Sequence, residues 1–167
     1  MIYVIICVQG GEFMTEKTAL ILAKREFKRE NVGYIEGRLR EEITAAVQNG
    51  YRRFLIGFDF EIDRMAAEIV IEQKTQQENI ILDAVLAFAH RDMKDDKYLQ
   101  ELLSQCEQVR VFSNRYFTGC YRRRNEACIR QADRLIAVTS PTEKGDLLCA
   151  IETAQTLKKE VLAICIG

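Results

Sequence analysis

The sequence predicts a single α/β domain over residues 1–167, a Rossmann-like doubly wound sandwich with a mostly parallel sheet of about six strands and helices on both faces. Three observations predict it. Short apolar runs, such as residues 2–8 and, interrupted only by Asp83, residues 80–88, have the pattern of strands buried on both faces. Segments with apolar residues at helical spacing separate nearly all of them. One proline, Pro141, and nine scattered glycines leave no linker, and 167 residues suit one domain at about 150 residues each.

The elements follow in order. Residues 2–8 form an apolar run that ends in Gly10-Gly11 and is predicted as the first strand. Residues 15–30 and 35–49 are predicted as helices, the second on the spacing of Leu39, Ile43, Ala46 and Val47, with Gly50 at its end. Phe54-Leu55-Ile56 before Gly57 predicts a strand. Residues 62–76 predict a helix that turns Ala66, Ile69 and Val70 to one side. Residues 80–88 are the next strand, 95–105 a helix and 109–112 a strand. Residues 121–132 predict a helix, 135–138 a strand, 146–158 a helix, and 161–166 a closing strand.

Composition excludes several classes. Twenty-four basic residues against 25 acidic ones give a net charge of −1, so no whole-molecule field draws the chain to nucleic acid or an anionic membrane. The longest apolar run has seven residues, far short of the ~20 that span a bilayer. With neither a basic segment before it nor a small-residue cleavage site after it, it is not expected to be a signal peptide. The six cysteines contain no C-x-x-C pair and His90 is the only histidine, which argues against a structural zinc site. Free thiols in a reducing cytoplasm are the expectation.

In such a fold ligands bind outside the carboxyl ends of the strands, so the loops after each strand carry the chemistry. Gly10-Gly11 lets backbone N–H groups approach a phosphate, or simply makes a tight turn. Neither a G-x-G-x-x-G nor a P-loop pattern occurs. Asp59, Glu61 and Asp63 are placed to cap the next helix, or to hold a divalent cation through oxygen; capping is the simpler account and no cation is indicated. Residues 115–134 contain six arginines against two acids, interleaved with Tyr116, Phe117 and Tyr121. Such a run suits phosphate binding and base stacking, or a solvated helix face with an Arg122–Glu126 pair. One arginine is expected to point into the crevice. Residues 140–146 enter a helix and offer N–H groups to an anion, unless Asp146 caps that helix itself. His90 is a candidate for acid–base chemistry or an inert loop residue.

Taken together, these loops resemble the YpsA-like family of the SLOG superfamily, Rossmann-like domains that include the DprA/Smf DNA-processing proteins and the LOG-type phosphoribohydrolases. Cys7-Val8-Gln9-Gly10-Gly11-Glu12 falls where the family has C-F-T-G-H-R. Gly57, then Asp63-Arg64-Met65-Ala66-Ala67-Glu68, falls on G-x-A-x-G-x-D-x-x-A-A-E. Phe88 falls in a P-F segment, and Lys97-Tyr98 with Leu102 on an R-Y…L helix. Tyr116, Cys120 and Arg124-Asn125 match Y…C-x-x-x-R-N, and Asp133-Arg134-Leu135-Ile136-Ala137 the D-x-L-I-A strand. The departures place Glu12, Glu61 and Asp146 at strand ends, where they repel a phosphate.

The resemblance implies a nucleotide or nucleotide-derivative binding domain. Its implied ligand residues are Gly10, Gly11, Gly57, Asp63, Tyr116, Arg124, Asn125, Lys144 and Gly145. It names no catalytic residue, no metal ligand and no cofactor beyond that nucleotide-like ligand. Two other readings stand beside it: a domain that has lost its ligand and acts as an interaction module or homo-oligomer, and single-stranded nucleic-acid binding through Arg122, Arg123, Arg130 and the tyrosines. A LOG-type enzyme is disfavoured, because Pro141-Thr142-Glu143-Lys144-Gly145-Asp146 does not reproduce P-G-G-x-G-T.

Overall fold

The computed structural model describes residues 16–167. Six parallel strands alternate with five helices: β1 (Lys17–Ala23), α1 (Val32–Gln48), β2 (Tyr51–Ile56), α2 (Glu61–Gln76), β3 (Ile81–Leu86), α3 (Lys97–Ser104), β4 (Gln108–Val111), α4 (Cys120–Gln131), β5 (Arg134–Thr139), α5 (Asp146–Thr156) and β6 (Glu160–Cys165). The sheet order is β4-β3-β2-β1-β5-β6. The chain therefore steps outward from β1 to β4, returns through α4 to β5 beside β1, and ends at β6.

β1 corrects the expected first half. The helix expected over 15–30 is absent; residues 17–23 are a central strand paired with β2 on one side and β5 on the other. Ala19-Leu20-Ile21-Leu22-Ala23 is built of good helix formers, which favours a helical reading from propensity alone. Burial on both faces decides otherwise. Ala19, Ile21 and Ala23 enter the core under α1, α2 and α3, whereas Leu20 and Leu22 enter the core under α4 and α5. The strand expected at 2–8, together with Gly10, Gly11 and Glu12, lies outside the described residues. The loop after β1 is accordingly 24–28.

The remaining elements lie within a few residues of expectation. α1 buries Ile35, Leu39, Ile43, Ala46 and Val47 at helical spacing, and Gly50, just past its end, takes the left-handed conformation (φ 87°). Each fully buried Leu or Ile contributes about 1.5–3 kcal/mol. At the amino ends of the strands, Arg134 donates two hydrogen bonds to Glu160, at 2.9 and 2.8 Å, and lies 4.4 Å from the Tyr51 ring centroid. That cluster fixes the sheet at the end opposite the strand-end loops. Among the described residues five cysteines are free thiols: Cys120 and Cys128 are buried and Cys165 is exposed. No helix among them is long and apolar enough to cross a membrane.

Candidate functional site

Strand order reverses between β1 and β5, so a crevice opens over their carboxyl ends. A cavity of about 160 Å³ lies there. Its walls are Lys24 and Arg25 after β1, Phe60 and Asp63 after β2, Tyr121, Arg124 and Asn125 on α4, and Glu143, Lys144 and Asp146 at the entrance to α5.

Arg124 is the arginine that points inward. Both it and Asn125 are buried, on the face of α4 that also buries Cys128 and Ile129. Its Nη1 donates to Asp59 Oδ2 at 2.9 Å and to the Val85 carbonyl at 2.6 Å, and its Nε donates to Asn125 Oδ1 at 2.8 Å. Gly57 makes room for this: a Cβ there would sit 2.6 Å from Nη1. The next residue, Phe58, is fully buried with φ 61°, a conformation that a bulky side chain adopts only where its surroundings impose it.

Two carboxylates lie beside Arg124. The Asp59 side chain has no exposed surface; Oδ2 takes the Arg124 bond, and Oδ1 faces His90 Nε2 at 3.5 Å. Asp63 Oδ2 accepts the backbone N–H groups of Asp59 and Phe60, so Asp63 is the carboxylate that caps α2. Burial pushes the Asp63 carboxyl up to about 7, and the Asp59 charge adds to the rise; Arg124 and the two amides oppose it. Burial also raises Asp59, against the pull of Arg124 and His90.

The two acidic departures among the described residues, Glu61 and Asp146, are turned away from the crevice or neutralised at its rim. Glu61 pairs with Arg29 at 2.5 Å. Asp146 is the first residue of α5 rather than its cap, and it faces Arg122 at 3.5 Å. Gly145 holds the N-cap position with φ 74° and ψ −143°, and no side chain caps the helix. The α5 N–H groups therefore stay open to an anion. The expected Arg122–Glu126 pair is replaced by Arg122 reaching Asp146 and Cys149 on α5. Lys24 crosses the switch point: its Nζ donates to Ser140 Oγ at 2.9 Å and stands 3.7 Å from Glu143.

Aromatic rings border the crevice. Phe60 and Tyr121 stack at 5.8 Å, Phe88 meets Tyr121 and Tyr116 edge-on at 6.0 and 5.5 Å, and the His90 ring lies 3.9 Å from Phe88. Burial pushes the Tyr121 hydroxyl up to about 12. Beyond Phe60 an open groove of about 550 Å³ runs along α2 to Tyr98.

Of the residues expected at the site, Asp63, Arg124, Asn125 and Lys144 share the cavity wall. Gly57 and Gly145 shape it from behind and from the rim. Tyr116 is 61% exposed and stands outside it, on the aromatic border. Gly10 and Gly11 lie outside the described residues. The arginine run divides: Arg115, Arg122, Arg123 and Arg130 are exposed, while Arg124 and Arg134 are buried at opposite ends of the sheet. The sequence does not point to Lys24, Arg25 or the Asp59 pairing, the first two because residues 15–30 read as a helix there. The charged Lys24-Arg25 step ending an apolar run is the signal that would have found them.

A family model described as the YspA SLOG family matches residues 17–164. The Cys7–Glu12 correspondence with C-F-T-G-H-R thus falls before the matched stretch. A UPF0398 protein of Bacillus cereus (strain G9842) is 26% identical over 130 residues, which cover 74% of this chain and 71% of that protein. A UPF0398 protein of Bacillus thuringiensis (strain Al Hakam) is 26% identical over 137 residues, 77% of this chain and 74% of its own. The X-ray structure of TM1055, a structural genomics target, superposes with a TM-score of 0.57 at 13% identity, covering 87% of this chain and 72% of that one, a likeness of fold. With the family match spanning nearly all the described residues, the chain belongs to the YpsA-like SLOG family.

Proposed function

We propose that the crevice between β1 and β5 binds the phosphate of a nucleotide or nucleotide derivative. The observation that carries this reading is the convergence of Lys24, Arg25, Arg124 and Lys144 on one cavity at the switch point, next to the uncapped start of α5. About 160 Å³ suits a single phosphate, since sites that enclose a whole drug-sized ligand run to about 300–1,000 Å³. The nucleoside lies outside, over the rings of Phe60 and Tyr121 and the open groove beyond them, where stacking needs no enclosed pocket. Calorimetric titration with a panel of nucleotides and dinucleotide derivatives, with and without magnesium, tests it. Saturable binding that weakens in Lys144→Ala supports it; no binding by any member removes it.

A second reading, a homo-oligomer, is favoured by one observation. β4 is an edge strand, and its Val109 and Val111 are each 46% exposed. Sedimentation of the wild type against Val109→Lys separates an assembly through that edge from a monomer.

A further inference from the structure

We propose that the crevice takes up its anion together with one proton, and that the proton is held by Asp63. This deepens the phosphate-binding reading above and rests on it.

Asp63 is both a wall of the anion cavity and a carboxylate sealed from water. Its surroundings are crowded with charge from every element that meets there. From the β2–α2 loop, Asp59 faces it as a like charge, while the amides of Asp59 and Phe60 donate to its Oδ2. From α4, Arg124 faces it, with Tyr121 beside. Lys24 and Arg25 approach from the β1 loop; Glu143, Lys144 and Asp146 approach from the β5–α5 turn. From the β3 loop, His90 reaches only Asp59.

The buried group contains one guanidinium and two carboxylates. Arg124 is committed to Asp59 at 2.9 Å with both side chains sealed, so its charge is already balanced without Asp63. A dianion entering beside these groups adds like charge to Asp63, and protonation of Asp63 is the local change that relieves it. The free carboxyl already sits near neutrality, about 7, so a proton is available at ordinary pH. Binding and protonation then favour one another reciprocally. Uptake is small at pH 6, near half a proton at pH 7, and approaches one proton above pH 8. Asp59 remains paired with Arg124 at 2.9 Å, with its other oxygen facing His90.

Sulfate is the probe, because it remains a dianion across this range and any pH dependence then belongs to the protein. Its affinity is measured by NMR titration from pH 6 to 9. The expected result is a near-constant affinity up to pH 6.5 and a fall approaching tenfold between pH 7.5 and 8.5. In Asp63→Asn, whose amide oxygen still accepts the two backbone N–H groups, the fall disappears. In His90→Gln, a change at a partly exposed loop position, it persists. A second measurement needs no variant: adding sulfate at pH 8 brings up the infrared band of a protonated carboxyl in the wild type. If the fall vanishes in His90→Gln and survives in Asp63→Asn, or if sulfate binds with one affinity at all pH values, the proton is not on Asp63 and the inference is overturned. If neither sulfate nor AMP binds at any pH, the phosphate reading fails first and takes this inference with it.

Discussion

The Arg124 guanidinium and the Asp59 carboxylate meet at 2.9 Å with 4% and none of their side-chain surface exposed, joining the return helix α4 to the end of β2. A buried pair of this kind adds little net stability over an apolar contact, but breaking one side leaves a stranded charge. Asp59→Ala is therefore expected to destabilise the domain by about 3–5 kcal/mol. Asp59→Asn, which keeps an acceptor for Nη1, is expected to cost less. Urea unfolding of both variants checks the order; equal costs would show that the acceptor kept by the amide contributes nothing.

Gly57→Ala pushes a methyl group against the same guanidinium, which the Val85 carbonyl and Asp59 hold in place. The expected loss is about 1–3 kcal/mol, as for other overpacked sites. Nucleotide affinity should fall along with it. A stability change within about 0.5 kcal/mol would mean that Arg124 yields freely.

Gly145 occupies a region of backbone space that is nearly closed to other residues. Gly145→Ala is expected to cost about 1–3 kcal/mol and to turn the α5 amides away from the crevice. Thermal unfolding and nucleotide titration, made on the same sample, report the two effects. Retained affinity in a destabilised variant would remove the α5 amides from the site.

Lys144 is exposed and makes no ion pair among the described residues. Lys144→Ala should leave unfolding within about 0.5 kcal/mol of wild type and weaken phosphate-bearing ligands several-fold, an effect that shrinks as salt rises. Ligand titration at two ionic strengths reads both.

The Asp63 carboxyl, near 4 in an unfolded chain and raised to about 7 when buried, binds more proton folded than unfolded between those values. Its contribution to stability is therefore greatest at acid pH and declines as pH rises through that interval. Against Asp63→Asn, which carries no such charge, the wild type should lose on the order of 4 kcal/mol from pH 4 to pH 8, at about 1.36 kcal/mol per unit. Urea midpoints of the two proteins at several pH values measure it, and parallel curves would refute the burial of an ionisable group there.

Most of the architecture was legible because periodicity and turn residues agree: α2, β3, α4 and β5 each fall within two or three residues of the sequence-based bounds. β1 was not, since a run of Ala, Leu and Ile fits either element until its neighbours on both sides are known. At the site, Arg124-Asn125 and Asp63 stand out by motif and spacing. Their real partners do not, because the Asp59 contact spans 65 residues and depends on how α4 returns over the sheet. Gly145 as cap, with Asp146 one step inside, rests on a backbone angle that residue type alone does not dictate.

Lys24 spans the gap above the reversal of strand order, tethered to Ser140 and Glu143. In the proposed site a phosphate would compete with Ser140 and Glu143 for this lysine, which would then serve as latch before binding and as host after it. Added electrolyte then acts in two directions, loosening the latch while dulling the attraction for the guest. The speed of entry and the tightness of grip should respond to salt with different slopes.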